Sequence, residues 1–222
     1  MTPMQLLTVS REFGAGGSLL ATELGSRLGW RVLDQDIVHR VAERLRLDDG
    51  TVEKFDEHPP SLLARIATVL IIPQPAIYSF PTPADVPSHD AIAGAARAVI
   101  EDAAASLPLI VVGHGAQCIF ASHAGALHFR VVAPVSVRLR RVVDRMHIDA
   151  AFAATLLRRA DQDRQAYVQR YFHTDWRNEL LYDLQLNTGK MTISAAADLV
   201  LQLVETRSRP ADSLRAASRP SE

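Results

Sequence analysis

Cysteine is almost missing from this chain of 222 residues, where Cys118 stands alone. One thiol excludes a disulfide framework and a cysteine-based metal site, and the simplest compartment for it is a reducing one, the cytoplasm. Net charge is equally scarce. A formal value of -1 gives no bulk attraction to nucleic acid or to an anionic membrane, so phosphate recognition has to come from local clusters. No run of about 20 apolar residues occurs, which leaves no expected membrane span. Residues 1–5 lack a basic segment, and Leu6-Leu7 give way to Ser10-Arg11-Glu12, so no secretory leader is expected either. Internal repeats are absent. At this length the chain suits one α/β domain with room for a small insertion.

What the chain does have is a dense glycine segment, Ser10-Arg11-Glu12-Phe13-Gly14-Ala15-Gly16-Gly17-Ser18. Leu6-Leu7-Thr8-Val9 before it reads as a buried strand, and residues 19–28 after it carry apolar side chains at helical spacing. A strand that turns through glycines into a helix suits an anion. Glycine lets the backbone approach the ligand, and the first N–H groups of the helix have no carbonyl partner of their own. Laid on the pattern G-x-x-x-x-G-K-[ST], Gly16 and Ser18 fall on the second glycine and the hydroxyl. Arg11 falls on the first glycine and Gly17 on the lysine. The segment therefore offers a cradle of amides from Gly14 to Ser18 and a Ser18 hydroxyl for magnesium, without the usual point charge. Another cation has to replace it. Two other readings stay open: a dinucleotide site, with Asp34 and Asp36 near the ribose position but Leu19 where a glycine is required, and a glycine turn that binds nothing.

Onward from the loop, Leu20, Leu24 and Leu28 mark a helix ending at Gly29, and Trp30 to Leu33 form a second strand. Asp34, Asp36, His39 and Arg40 follow its carboxyl end, where parallel sheets gather ligands; the plain alternative for Asp36 is a helix start that favours acids. Between residues 48 and 90 seven prolines, with one apolar helical run at 62–72, forbid a central strand and read as an inserted subdomain. A helix over 91–106, a strand Leu109-Ile110-Val111-Val112 and a second glycine turn, Gly113-His114-Gly115, come next. Then follow a short helical turn to Phe120, a strand over 127–132 and a helix over 135–146. The arginines of that helix, Arg138, Arg140, Arg141 and Arg145, read as a solvated basic face partly paired with Asp144. The longest helical stretch, 149–172, sets Arg158, Asp161 and Arg164 near one face with Arg159 beside them. These are planar cations suited to phosphate oxygens with a carboxylate to orient them, although such a charge run is more often a solvated face. A last strand over 182–186, a helix over 194–204 and a disordered tail over 206–222 complete the chain.

In this order the segments resemble the cytidylate kinase-like family of P-loop nucleoside monophosphate kinases. The resemblance rests on Val9-Ser10-Arg11-Glu12-Phe13-Gly14-Ala15-Gly16-Gly17, Leu33-Asp34-Gln35-Asp36-Ile37, and Phe55-Asp56-Glu57 with Pro59-Pro60. It continues through Val111-Val112-Gly113-His114-Gly115-Ala116, Arg158-Arg159-Ala160-Asp161, and Tyr182-Asp183-Leu184 with Asn187-Thr188. It implies a three-layer α/β fold with a five-stranded parallel sheet, a helical nucleotide-binding insertion over about 48–90 and an arginine-bearing lid over about 149–175, all in one domain of residues 1–205. It also implies ATP and Mg2+ as cofactors, with Arg11, Gly14, Ala15, Gly16, Gly17 and Ser18 at the donor, Ser18 also serving magnesium through the nucleotide. Asp34, His39, Arg40, Gly113 and His114 would meet the acceptor, and Arg158, Arg159, Asp161 and Arg164 would act on the transferring group. Three positions depart from the family pattern. Gly17 replaces the lysine, His114 and Gly115 replace an arginine and a base-reading aspartate, and Ser18 replaces a residue that is often basic.

The expectation is thus an ATP- and magnesium-dependent nucleoside monophosphate kinase, with CMP or dCMP as the first acceptor. The alternative is a nucleotide-binding module without appreciable catalysis. Nucleotides are the expected partners, with no nucleic acid and no membrane.

Overall fold

The computed structural model describes residues 5–45 and 87–208. The proline-rich insertion, including the run at 62–72 and the Phe55 to Pro60 segment, lies largely outside these residues, as does the tail beyond Ser208.

Five strands, β1 (Leu6–Arg11), β2 (Arg31–Leu33), β3 (Leu109–Val112), β4 (Ala126–Val132) and β5 (Leu184–Asn187), pair in parallel in the order β2-β3-β1-β4-β5. The first strand is central because it is apolar on both faces. Leu6, Leu7 and Val9 have no exposed surface, and the register sets Leu6 against Leu109 on one side and Ala126 on the other. β3 is buried throughout for the same reason. Each such leucine or isoleucine contributes roughly 1.5–3 kcal/mol by leaving water.

Helices cover both faces. α1 (Gly17–Leu28) and α7 (Ile193–Ser208) pack on one, and α2 (Ile37–Arg44) with α3 (His89–Ala104) on the other. α1 stops where Gly29 takes the left-handed conformation at φ 68°. α3 starts two residues earlier than its apolar spacing predicts, because the Ser88 hydroxyl accepts from Ala91 N at 3.1 Å and caps it. The short α4 (Ala116–Ile119) follows β3, while α5 (Val135–Met146) and α6 (Ala150–Phe172) form an antiparallel pair around Val142, Ala153 and Leu157. Asp149 caps α6 by accepting from Phe152 N at 2.9 Å.

Two boundaries correct the sequence reading. β5 begins at Leu184 rather than 182, because a 3-10 turn, Glu179–Leu181, occupies the approach. α7 runs to Ser208, so residues 206–208 are helical and not part of a disordered tail.

Parallel pairing puts the carboxyl ends of β1 and β3 side by side. The loops after them, 12–16 and 113–115, therefore share one edge of the sheet, and α6 comes down beside both, bonded to Phe13 and sharing a cleft with Gly113 and His114.

Candidate functional site

The loop after β1 is shaped by its own glycines. Gly14 and Gly16 hold φ of 77° and 88°, a region that side chains resist, and Ala15 N closes a turn on Glu12 O at 3.1 Å. No side chain caps α1 at Gly16, so the N–H groups of its first turn, including that of the half-buried Ser18, remain available to an anion.

The loop is held from outside by α5, α6 and the turn after β5. Arg138 donates to Ala133 O at 3.0 Å, to Phe13 O at 3.1 Å and to Asp161 Oδ2 at 2.6 Å. Asp161 in turn accepts from Phe13 N at 2.8 Å. Thr188 Oγ1 donates to Ala15 O at 2.6 Å, and Arg141 braces Thr188 at its hydroxyl and its carbonyl, at 2.9 and 2.8 Å. This corrects the reading of α5 as a solvated basic face. Arg138 is 6% exposed, and Arg141 shares its face one turn on; only Arg140 and Arg145 face water.

Arg11 leaves the end of β1 and crosses Gly17, where a Cβ would lie 2.5 Å from its own Cβ and 3.0 Å from its Cγ. Its guanidinium passes over Gly113, whose missing side chain makes the room, and pairs with Asp34 at 3.2 Å. A lysine at position 17 would have no space beside this arginine. Burial lowers the Arg11 pKa against the pull of Asp34, so the cation sits between the two loops with one carboxylate as its partner.

Beyond it lies a cleft of about 40 Å³ lined by Ser10, Arg11, Gly113, His114, Gln117, Arg164, Tyr167 and Trp176. At its rim the backbone is left-handed through Gly113, His114 and Gly115, at φ 81°, 54° and 70°, which the two glycines adopt freely and only His114 resists. Phe172 fills the space a side chain at Gly115 would need. Burial, with Arg11 and Arg164 facing it, holds His114 neutral and depresses its pKa to about 3. Arg164 is drawn down to about 10 by burial and by Arg11, while Asp161 at 3.3 Å and the Phe13 ring at 5.7 Å support it. Two cations and a neutral imidazole thus converge, and among the described residues His114 Nδ1 and Gln117 Nε2 are buried with no hydrogen-bond partner. Tyr167 is also a wall of a wider, open groove of about 470 Å³, lined by Asp90, Gly94, Arg97, Arg170, Tyr171 and Phe172.

The structure therefore brings Arg11, Gly14 to Ser18, Asp34, Gly113, His114 and Arg164 to one edge of the sheet. Asp161 lies behind the loop and positions Phe13, Arg138 and Arg164. Arg159 is half-buried on α6 with its Nε unpartnered, while Arg158 is exposed and donates to Thr155 one turn back at 3.3 Å. His39 and Arg40 are exposed, and Arg40 pairs with Asp36 at 3.3 Å instead of reaching the cleft. Gln117, Tyr167 and Trp176, whose indole donates to Ser10 Oγ at 2.7 Å, escaped the sequence reading. The one signal for Gln117 was its place two residues after a glycine turn. No group of three or more metal-binding side chains occurs among the described residues, and no helix there is long and apolar enough to cross a membrane.

The pattern of the cytidylate kinase-like family matches residues 6–190. A solved but uncharacterized protein from Eubacterium ventriosum superposes with a TM-score of 0.63 at 18% identity, over 90% of this chain and 98% of that one. A gluconokinase from Sinorhizobium meliloti gives 0.54 at 13% identity, over 98% and 99%. At these identities the likeness concerns the fold, which is that of the P-loop kinases. A uronate isomerase from Corynebacterium glutamicum is 29% identical over 93 residues, 42% of this chain but only 18% of that protein's length.

Proposed function

The chain belongs to the cytidylate kinase-like family, and on that premise we propose that it is an ATP- and magnesium-dependent phosphotransferase acting on a nucleoside monophosphate, CMP or dCMP first. The observation that carries this reading is the course of Arg11, which occupies the room of the missing lysine and ends between the glycine loop and the cleft. A transferring phosphoryl group asks a protein mainly for positioning and for charge to meet its spreading negative oxygens. Arg11 supplies that charge where donor and acceptor would meet.

The loop fits the donor's phosphates through its glycine backbone and uncapped helix start, and Ser18 offers the hydroxyl that such sites direct toward magnesium. The magnesium nucleotide, when bound, supplies the phosphoryl group and neutralises part of its charge. Arg164 and Arg11 hold the acceptor's phosphate in the small cleft, with His114 adding a polar contact but no charge. Asp34 keeps the Arg11 guanidinium aimed. The adjoining groove, walled by Tyr167 and Tyr171 with ring centroids 4.9 Å apart, is the place for the nucleoside. Arg159 and Arg158, earlier on α6, are assigned to the outer phosphates if that helix closes over the loop.

ADP release from ATP and magnesium, measured against a panel of nucleoside monophosphates, tests the reading. Acceptor-dependent turnover that is highest with CMP or dCMP supports it. The second reading, a nucleotide-binding module, is favoured by the exposed Arg158, and ATP binding with no turnover on any acceptor identifies it.

A further inference from the structure

Gln117 is 2% exposed, lines the cleft, and has a side-chain N–H2 group with no partner among the described residues. A buried amide left in that state costs free energy comparable to a lost hydrogen bond. An apolar residue of the same shape would not carry that cost. The amide sits two residues beyond the left-handed turn at Gly113 to Gly115 and shares the cleft with Arg11 and Arg164. Arg11 lies close enough to Arg164 to disfavour its charge, while Asp34 pairs with Arg11 and Asp161 with Arg164. Of the groups lining it, the Arg11 and Arg164 guanidiniums can only donate, and the Gln117 amide adds an N–H2 group that has no partner among the described residues. The cleft is therefore rich in donors and carries no carboxylate in its lining, and its volume of about 40 Å³ admits a group the size of one tetrahedral oxyanion.

We propose that Gln117 is a specificity residue of the acceptor site, donating through Nε2 to an oxygen of a phosphate monoester seated between Arg11 and Arg164. This deepens the kinase reading and rests on it for the word acceptor; oxyanion binding itself stands on the cleft alone. The two cations attract any anion. The amide adds direction, favouring a phosphate whose oxygens reach the floor of the cleft over a larger or flatter carboxylate.

The test uses the full chain with inorganic phosphate as probe, in wild type, Gln117→Leu and Gln117→Glu, read by calorimetric titration and by the thermal midpoint with and without phosphate. The expected result is that Gln117→Leu melts no lower than wild type without phosphate, yet binds phosphate about tenfold more weakly, the loss of one hydrogen bond to a charged group. Gln117→Glu, which sets a carboxylate against the anion, loses phosphate binding altogether. In the kinase assay the leucine variant raises the KM for the acceptor and leaves the KM for ATP unchanged. Phosphate affinity equal to wild type in both variants places the anion in the glycine loop and overturns the proposal. Absent phosphate binding by wild type, or a leucine variant that melts lower while binding phosphate normally, also overturns it. A wild type without turnover whose phosphate binding still depends on Gln117 removes the kinase reading alone; turnover with an unaltered acceptor KM in Gln117→Leu removes this inference alone.

Discussion

The glycine loop and the cleft lie on the same edge of the sheet, a few residues apart in space, and are built in opposite ways. Around the loop the polar groups are paired: Phe13 gives its N–H to Asp161 and receives Arg138 at its carbonyl, and Ala15 O is met by Thr188 and Arg141. Around the cleft some are left over: among the described residues His114 Nδ1 and Gln117 Nε2 are buried without partners, and Arg11 and Arg164 share its lining. The loop is braced from behind before a ligand arrives, with only the N–H groups of its helix start left open, whereas the cleft keeps a buried amide that an anion would satisfy. A rigid donor cradle beside an unsatisfied acceptor pocket is what transfer between two bound phosphates requires, because preorganised charge costs no rearrangement when the reaction occurs.

The contrast breaks most severely at the loop's brace. Arg138→Ala takes from the buried Asp161 carboxylate the nearer of its two arginines, leaving Arg164 at 3.3 Å, and the expected loss of stability, read by urea denaturation, is up to about 3–5 kcal/mol. Gly17→Lys, which supplies the residue the P-loop pattern asks for, is expected to lower both turnover and stability, the latter by about 1–3 kcal/mol, since the new Cβ collides with Arg11. A gain in turnover would show that Arg11 does not hold the lysine's place.

A smaller effect sharpens the cleft side through pH. An unfolded histidine takes a proton near pH 6.5, and His114 in the fold does so only near about 3, so between these values the unfolded chain binds more protons. The His114 contribution is therefore full above about pH 6.5 and is lost as pH falls toward about 3. Asp163 opposes it, because burial raises its pKa to about 6 and its contribution fades as pH rises from about 4 to about 6. The difference in stability between wild type and His114→Gln, measured by denaturant midpoints from pH 4 to 7, is expected to grow in favour of the wild type as pH rises. The smallest effect belongs to Arg158→Ala, which changes stability by under about 1 kcal/mol, as befits an exposed side chain bonded within its own helix.

These regions also differ in how much of them the sequence disclosed. The loop was legible because it is local: a strand, glycines and a helix in succession can be read from neighbouring residues. The strands and helices of the sheet were legible through their apolar periods, and their edges shifted only where a cap such as Ser88 or the turn at Glu179 intervened. What holds the loop was hidden. Arg138 reaches Phe13 and Arg141 reaches Ala15 across more than a hundred residues, and a buried arginine on a helix has the same spelling as a solvated one. Gln117 was invisible for a related reason, since lacking a partner is a property of the assembled cleft. Arg40 illustrates the reverse error. Its position after the second strand suggested the acceptor, yet one helical turn carries it to Asp36 and the surface. Arg11 was read as part of the donor loop from its place in the pattern, but only the fold shows why Gly17 and Gly113 lack side chains beside it.

The most direct measurement is acceptor-dependent ADP release by wild type and Arg11→Ala, with ATP binding followed in parallel. If Arg11 is the cation that stands in for the lysine, turnover with CMP falls roughly 10²–10³-fold in the variant while ATP still binds. Equal turnover in the two proteins would contradict the account.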